Sequence, residues 1–317
     1  MSKRSLVIII ALLLLVDLAA ALWYMTLRIE ASGKSSDLFN INNNDVAVEA
    51  DTITDNTLPD TFQRITQQVN MLSEQPAPSV NASAHYATIK KVDVRWPQSI
   101  NGTRRIAALE HALLSKMFDG EYETLNGALS TYMRTANFGS GIDVAYRVVN
   151  QEPAITHPFG HRYTLLAYPL MTSFRFLVME VDRYTYDGHQ NSTTKHFVHY
   201  DRINQRVLAR NDILSGDETV LLALINDKID TLNARKNTHL EHTPRVANEF
   251  SARRTGIIFQ YQPGEIAPAN EGPTEILIEY TKLGPCLSSD FKAMLRTNGG
   301  YWNYSPLSEH PKDKSEQ

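Results

Sequence analysis

Ten histidines, one cysteine and thirty-five carboxylates are the side chains on which most chemistry of this 317-residue chain would rest. Such groups bind metals or move protons, and their spacing decides which of them can act together. His157 and His161 flank Pro158-Phe159-Gly160, so one loop could bring two imidazoles near each other. His196 and His199 stand three apart in an expected strand and face opposite sides, which makes them poor co-ligands. His239 and His242 bracket Glu241 in a polar stretch without the helical His-Glu-x-x-His pattern of a zinc hydrolase. The histidines therefore read as surface or hydrogen-bonded groups, and neither a metal nor a cofactor is expected. A nucleophile at Cys286 would need a basic neighbour and an exposed thiol; between Pro285 and Leu287 it reads as a packed cysteine. No Gly-x-Ser-x-Gly elbow is present, and Gly139-Ser140-Gly141 lacks the helix-opening context of a phosphate loop. No two carboxylates are marked as the partnered acids of a glycosidase. The expectation is a protein without a catalytic constellation.

Composition narrows the classes further. Thirty-one basic against thirty-five acidic residues give a net charge of −4 and a pI near 6.2, so no nucleic-acid partner is expected. The single cysteine excludes an internal disulfide framework and a cysteine-based zinc cluster. A mean hydropathy of −0.31 excludes a polytopic membrane protein.

The chain opens with a stub, residues 1–4, whose Lys3 and Arg4 precede an apolar run over 5–27 interrupted chiefly by Asp17. A helix of that length spans a bilayer, and the basic pair keeps the N-terminus in the cytoplasm. Trp23 and Tyr24 sit where an interfacial aromatic belt belongs. Two alternatives follow: an uncleaved signal-anchor, favoured because the apolar run continues to Leu27, or a signal peptide cleaved after Ala19-Ala20-Ala21. The expected location is the bacterial inner membrane, single-pass, with the C-terminal body in the periplasm or outside.

Residues 28–83 read as a polar stalk, with Asn42-Asn43-Asn44-Asp45 and Pro76-Ala77-Pro78 as its least structured points. Within it Phe62, Ile65, Val69 and Leu72 share one face of a helix. From 84 to 300 the composition is globular, with sub-regions of about 84–170 and 171–300, and 301–317 is a polar tail. Strands are expected at Tyr86–Trp96, Asp143–Val149, Tyr163–Tyr168, Ser173–Tyr186, Lys195–Ile203, Gly256–Tyr261 and Thr274–Tyr280. Helices are expected from Ile106 to Met117, over Tyr122–Met133, after the capping box Ser215-Gly216-Asp217-Glu218, and around Asp290–Leu295. Asp187 to Ser192 has the composition of a hairpin loop. This order gives an α+β fold, a mainly antiparallel sheet packed against a few helices, rather than a doubly wound one.

Three segments resemble a known family. Tyr200-Asp201-Arg202-Ile203-Asn204-Gln205-Arg206-Val207-Leu208 with Asn211-Asp212-Ile213-Leu214 is similar to its tyrosine-aspartate turn and helix entry. Gly188-His189 resembles a Gly-Ala-His signature without the alanine. Gly256–Phe259, Pro263-Gly264-Glu265-Ile266-Ala267-Pro268, Gly272, Ile276–Tyr280 and Leu283 resemble its C-terminal strand–loop–strand. The family is the extracellular region shared by RsiV-type anti-sigma factors and the non-catalytic N-terminal part of PdaC-type peptidoglycan deacetylases. Aromatic residues commonly flank the Glu-Ile-Ala-Pro stretch there; Gly264 and Ala269 stand in their place here. The resemblance implies an extracytoplasmic sensing or binding module for a cell-wall component or a protein ligand such as lysozyme, held to the membrane by the N-terminal helix. Gly188, His189, Glu265, Ile266, Ala267 and Pro268 are its candidate ligand-contact residues. Ala-Pro also fixes an extended turn, which is a structural role for the same residues. The alternative function is an envelope enzyme or accessory factor acting on peptidoglycan.

Overall fold

The computed structural model of the chain describes residues 59–296 except 79–83, 105, 140–141, 156 and 237–238. The expected anchor over 5–27, residues 28–58 of the stalk and the tail over 301–317 lie outside the described residues. Among those described, no helix is long and apolar enough to cross a membrane.

The protein is α+β, mostly sheet with a few helices. Its larger sheet comprises β1 (Thr61–Pro76), β2 (His85–Ser99), β3 (Tyr146–Val148), β4 (Gly160–Thr172), β5 (Phe176–Tyr186), β6 (Asn191–Asp201) and β7 (Arg206–Leu208), in the order β3-β1-β2-β4-β5-β6-β7. All neighbours pair antiparallel except β2 and β4, which run parallel. A parallel pair needs a long crossover, and this one carries α1 (Ala107–Met117) and α2 (Leu125–Arg134). The Thr124 side chain caps α2 by accepting from the Gly127 amide at 3.2 Å. Both helices cover one face of the sheet, where Leu109, Leu113, Met117, Ala128 and Leu129 pack on Val92, Val94, Leu165, Val181 and Val198.

The stretch 61–76 was expected to be stalk with an amphipathic helix; it is a strand of the sheet instead. A spacing of four is even, so Ile65 and Val69 share a face in a strand as well as in a helix. Met71 breaks the tie, because the odd series 65, 69, 71 is one-sided only in a strand, and Met71 is fully buried. Pairing along β2, from Thr61 opposite Ser99 to Pro76 opposite His85, then overrides local propensity. The folded body therefore includes residues before 84. The division expected near 170 falls inside β4, which is bonded to β2 on one side and β5 on the other, so the sheet is continuous there.

After β7 the chain forms α3 (Arg210–Ile213), α4 (Glu218–Lys236) and a second antiparallel sheet of β8 (Glu249–Ala252), β9 (Gly256–Tyr261) and β10 (Thr274–Glu279), then α5 (Tyr280–Leu283) and α6 (Ser289–Arg296). Leu221, Ile225 and Ile229 of α4 bury their stripe against Phe250, Ile257, Phe259, Ile276 and Ile278. The cap of α4 is Asp217 rather than Ser215: its carboxylate accepts from the Thr219 amide at 2.8 Å, while the Ser215 amide donates to the Cys286 carbonyl at 3.1 Å. The nominally polar stretch 233–251 contains β8, whose Phe250 is core. Cys286 is buried in the same core.

The second sheet also meets the outer edge of β6, where β7 does not reach. The Phe197 amide donates to Glu249 Oε2 at 3.1 Å. The Gln262 carboxamide accepts from the Lys195 amide at 3.3 Å and donates to the Lys195 carbonyl at 2.9 Å.

Candidate functional site

The two loops nominated from sequence are each tied into the fold. In the turn between β5 and β6, Asp187 Oδ1 accepts from the amides of His189 and Gln190, both at 2.9 Å. Gly188 has φ of +92°, and a side chain there would meet the Pro158 carbonyl oxygen at 2.1 Å, so only glycine fits. That close approach brings the exposed His189 against His157, with ring centroids 4.8 Å apart. The imidazole beside His157 is therefore His189 rather than His161, which is buried and faces Gly139.

Glu265 closes its own turn. Its Oε2 accepts from the Gln262 amide at 2.6 Å, its Oε1 accepts from Arg245 at 2.6 Å, and Gly264 supplies φ of +85°. Ile266 is buried in the second core, its carbonyl accepting from the Glu241 amide at 2.8 Å; Ala267 is buried and Pro268 exposed. Among the described residues, no hydrogen bond, ion pair or ring contact joins this loop to Gly188 or His189.

A different place has the form of a site. On the helix-covered face of the larger sheet, a cleft of about 290 Å³ opens between the sheet, the end of α1 and the end of α2. Lys90 of β2 and its register partner Tyr163 of β4 form the floor, with Arg183 of β5 beside them. Phe118, Asp119 and Tyr122 follow α1, and Thr131 and Tyr132 come from α2. The Lys90 ammonium donates to the Tyr132 carbonyl at 2.7 Å, covering one of the carbonyls that the last turn of α2 leaves unpaired. It lies 4.4 Å from the Tyr132 ring centroid and 5.7 Å from that of Tyr163, within cation–π range. Arg183 grips Asp119 through both nitrogens, at 2.8 and 2.6 Å.

Lys90 is 4% exposed, and among the described residues no carboxylate lies within ion-pairing distance of it. Burial pushes its ammonium from the ordinary 10.5 down to about 8. Burial also pushes the Tyr132 hydroxyl up to about 12. The hydrogen bonds from Arg183 hold the Asp119 carboxyl below the usual range. Lys90 is absent from the residues nominated by sequence, although its position carries a signal. It occupies the inward phase of a strand whose other inward residues are Val92, Val94 and Trp96.

A measurable linkage follows. Because the folded pKa of Lys90 is depressed, the unfolded chain holds more protons between about pH 8 and 10.5, and stability should rise with pH across that window. The full effect is about 3 kcal/mol at ~1.4 kcal/mol per pKa unit. Urea unfolding of wild type and Lys90→Met should show the wild type gaining on the variant by roughly that amount between pH 7 and 10. A pH-independent difference would mean that Lys90 is not a buried charge.

Charge also gathers on the opposite face of the sheet. Glu180, 2% exposed, and Asp182 project from the same side of β5. Tyr168 donates to Asp182 at 3.1 Å, and Lys195 lies 3.1 Å from Glu180. Burial first, then the Glu180 charge, push the Asp182 carboxyl up to about 6. Among the described residues, no group of three or more histidine, cysteine or acidic side chains is arranged to hold a metal ion.

Comparison with known proteins places the C-terminal part of the body. Residues 211–281 match a family described as a protein of unknown function, DUF3298. Two crystal structures of DUF3298 family members share the fold. One, from Bacteroides fragilis, has a TM-score of 0.53 at 17% identity, covering 74% of this chain and 98% of that one. Another, from Pseudomonas aeruginosa PAO1, has a TM-score of 0.52 at 16% identity, with the same coverages. Among curated proteins, none matches the sequence.

The DUF3298 match runs from α3 into α5 and so contains α4, the whole second sheet and the Glu265–Pro268 loop. Lys90, Tyr132, Tyr163 and Arg183 all lie outside it, as do Gly188 and His189.

Proposed function

We propose that this chain is a membrane-anchored bacterial envelope protein whose body binds a cell-wall component, or a protein ligand such as lysozyme, and performs no chemistry of its own. The observation that carries this is the Lys90 cleft: a small concavity with aromatic walls and a few convergent polar groups has the make-up of a ligand pocket. Its groups are suited to holding a ligand: a cation bonded to a carbonyl, tyrosine rings and a closed Arg–Asp pair. The basic stub before the apolar run and the resemblance to the RsiV-type and PdaC-type extracellular region supply the envelope setting. Of the two nominated loops, His189 and Pro268 are exposed, which supports their contact with a large ligand.

The test is retention of the purified full chain, in detergent micelles, on insoluble peptidoglycan and on immobilised lysozyme. Retention on either, saturable and competed by the soluble form, is the expected result. Passage through both columns would overturn the proposal. The Glu180–Asp182 pair favours a second reading, an envelope enzyme or accessory factor acting on peptidoglycan; release of soluble fragments from sacculi, lost on Asp182→Asn, would establish it.

A further inference from the structure

Lys90 presents an unusual balance of forces. An ammonium removed from water normally acquires a carboxylate or loses its proton, because burial of an unpaired charge is costly. Here the compensation is one carbonyl at the end of α2 and two tyrosine faces. An ammonium has three N–H donors, and one of them meets the Tyr132 carbonyl. The nearest anion-bearing side chain lining the cleft, Asp119, is taken up by both nitrogens of Arg183. With Lys90 and Arg183 against Asp119, the lining carries one positive charge in excess and has an anion's worth of attraction unspent.

The rest of the lining limits what can carry that anion. Tyr122 and Tyr132 offer rings, while Thr131, Thr185 and Asn137 offer hydroxyl and amide groups. A flat, hydroxylated body uses both, stacking on rings and bonding to the polar tips. About 290 Å³ suits one ring with a short substituent, at the lower limit of small-molecule pockets.

We infer that this cleft receives a carboxylate borne on a single hydroxylated ring, such as a lactyl-substituted amino sugar, with Lys90 as the group that meets the carboxylate. The inference rests on the envelope-binding proposal above and narrows it to a ligand class and a position.

The experiment is calorimetric titration of the full chain in detergent micelles with N-acetylmuramic acid and with N-acetylglucosamine, the same ring without the lactyl carboxylate. At pH 7 the acid should bind at least tenfold more tightly than the neutral sugar. Lys90→Met should raise the Kd of the acid at least tenfold and leave that of the neutral sugar unchanged. For wild type, affinity for the acid should fall about tenfold between pH 7 and 9 as Lys90 loses its proton. The charged and titratable groups facing it are Tyr132 on α2, Tyr163 on β4, Arg183 on β5 and Asp119 and Tyr122 after α1. Burial raises Tyr132 and Tyr163, while the Arg183–Asp119 pairing raises Arg183 and lowers Asp119, so these four keep their charge across that range. The same pH series on Lys90→Met separates any contribution of Tyr122, and the wild-type series stands if that variant does not fold.

Equal affinity for acid and neutral sugar, or an acid affinity indifferent to Lys90→Met and to pH, would overturn the inference and make Lys90 a cap of α2 alone. Retention on peptidoglycan would in that case still support the binding proposal. Loss of peptidoglycan and lysozyme retention together would overturn that proposal, and binding of the free acid in the same preparation would keep the inference standing.

Discussion

A chain shortened to begin at Ala84 is expected to lose cooperative folding altogether, whereas one beginning at Asp55 should unfold in a single transition. The shorter chain lacks β1, and with it the strand that pairs along nearly all of β2 and is the neighbour of β3. It also loses the fully buried Met71 and the contacts of Ile65 with the helix-side core. Truncating a single buried methionine costs about 2–5 kcal/mol, and whole domains are stable by only ~5–15 kcal/mol. Loss of the strand's ladder and its side chains together exceeds that margin. Thermal unfolding followed by circular dichroism is the measurement; a sharp transition from the Ala84 fragment would refute the account of β1 as part of the body.

The second large effect is expected at Arg202. Its guanidinium, 5% exposed, donates to Asp60 at 2.8 Å, to the Phe174 carbonyl at 3.1 Å and to the Ser173 carbonyl. Asp60 Oδ1 in turn accepts from the Asn101 amide at 2.8 Å. The pair pins the start of β1 to the β4–β5 turn and to the residue just after β6. Removing one member of a buried pair leaves the other charged and unpartnered, which costs about 3–5 kcal/mol. Arg202→Met should therefore lower stability by about 3–4 kcal/mol in urea titrations, and Asp60→Leu in the same chain should restore part of the loss. A double variant no better than the single would assign the effect to the two carbonyls instead of the ion pair.

These effects bear on what the sequence made legible. The Tyr200–Leu208 segment resembles a family, and its residues hold the fold. Asp201 is fully buried and accepts from the amides of Ile203 and Asn204, both at 3.0 Å, while Arg202 anchors β1. Likewise Glu265 is engaged by its own turn and by Arg245. Such local hydrogen-bond logic is written in short motifs, so it can be read directly. The helices from 107 and 125 and the stripe of α4 were legible because their apolar period is unambiguous. β1 was not, because its i, i+4 spacing serves two periods. The Lys90 cleft was out of reach for another reason. Its walls come from residues near 90, 117–137, 163–165 and 183–185, and only the parallel join of β2 to β4 brings these together.

The side chains lying along the outer edge of β6 decide how this molecule behaves in a crowd of its own copies. An open strand edge recruits other strands, and repetition of that event builds fibrils. Here a carboxylate and a carboxamide already occupy the main-chain groups of Lys195 and Phe197 that such recruitment needs. Burial alone would raise the Glu249 carboxyl, but hydrogen bonds from His196 and Lys116 outweigh it and hold the group at about 2. The guard on that edge therefore stays ionised in acid strong enough to neutralise most other carboxylates, and the covered stretch of β6 is expected to resist strand recruitment there.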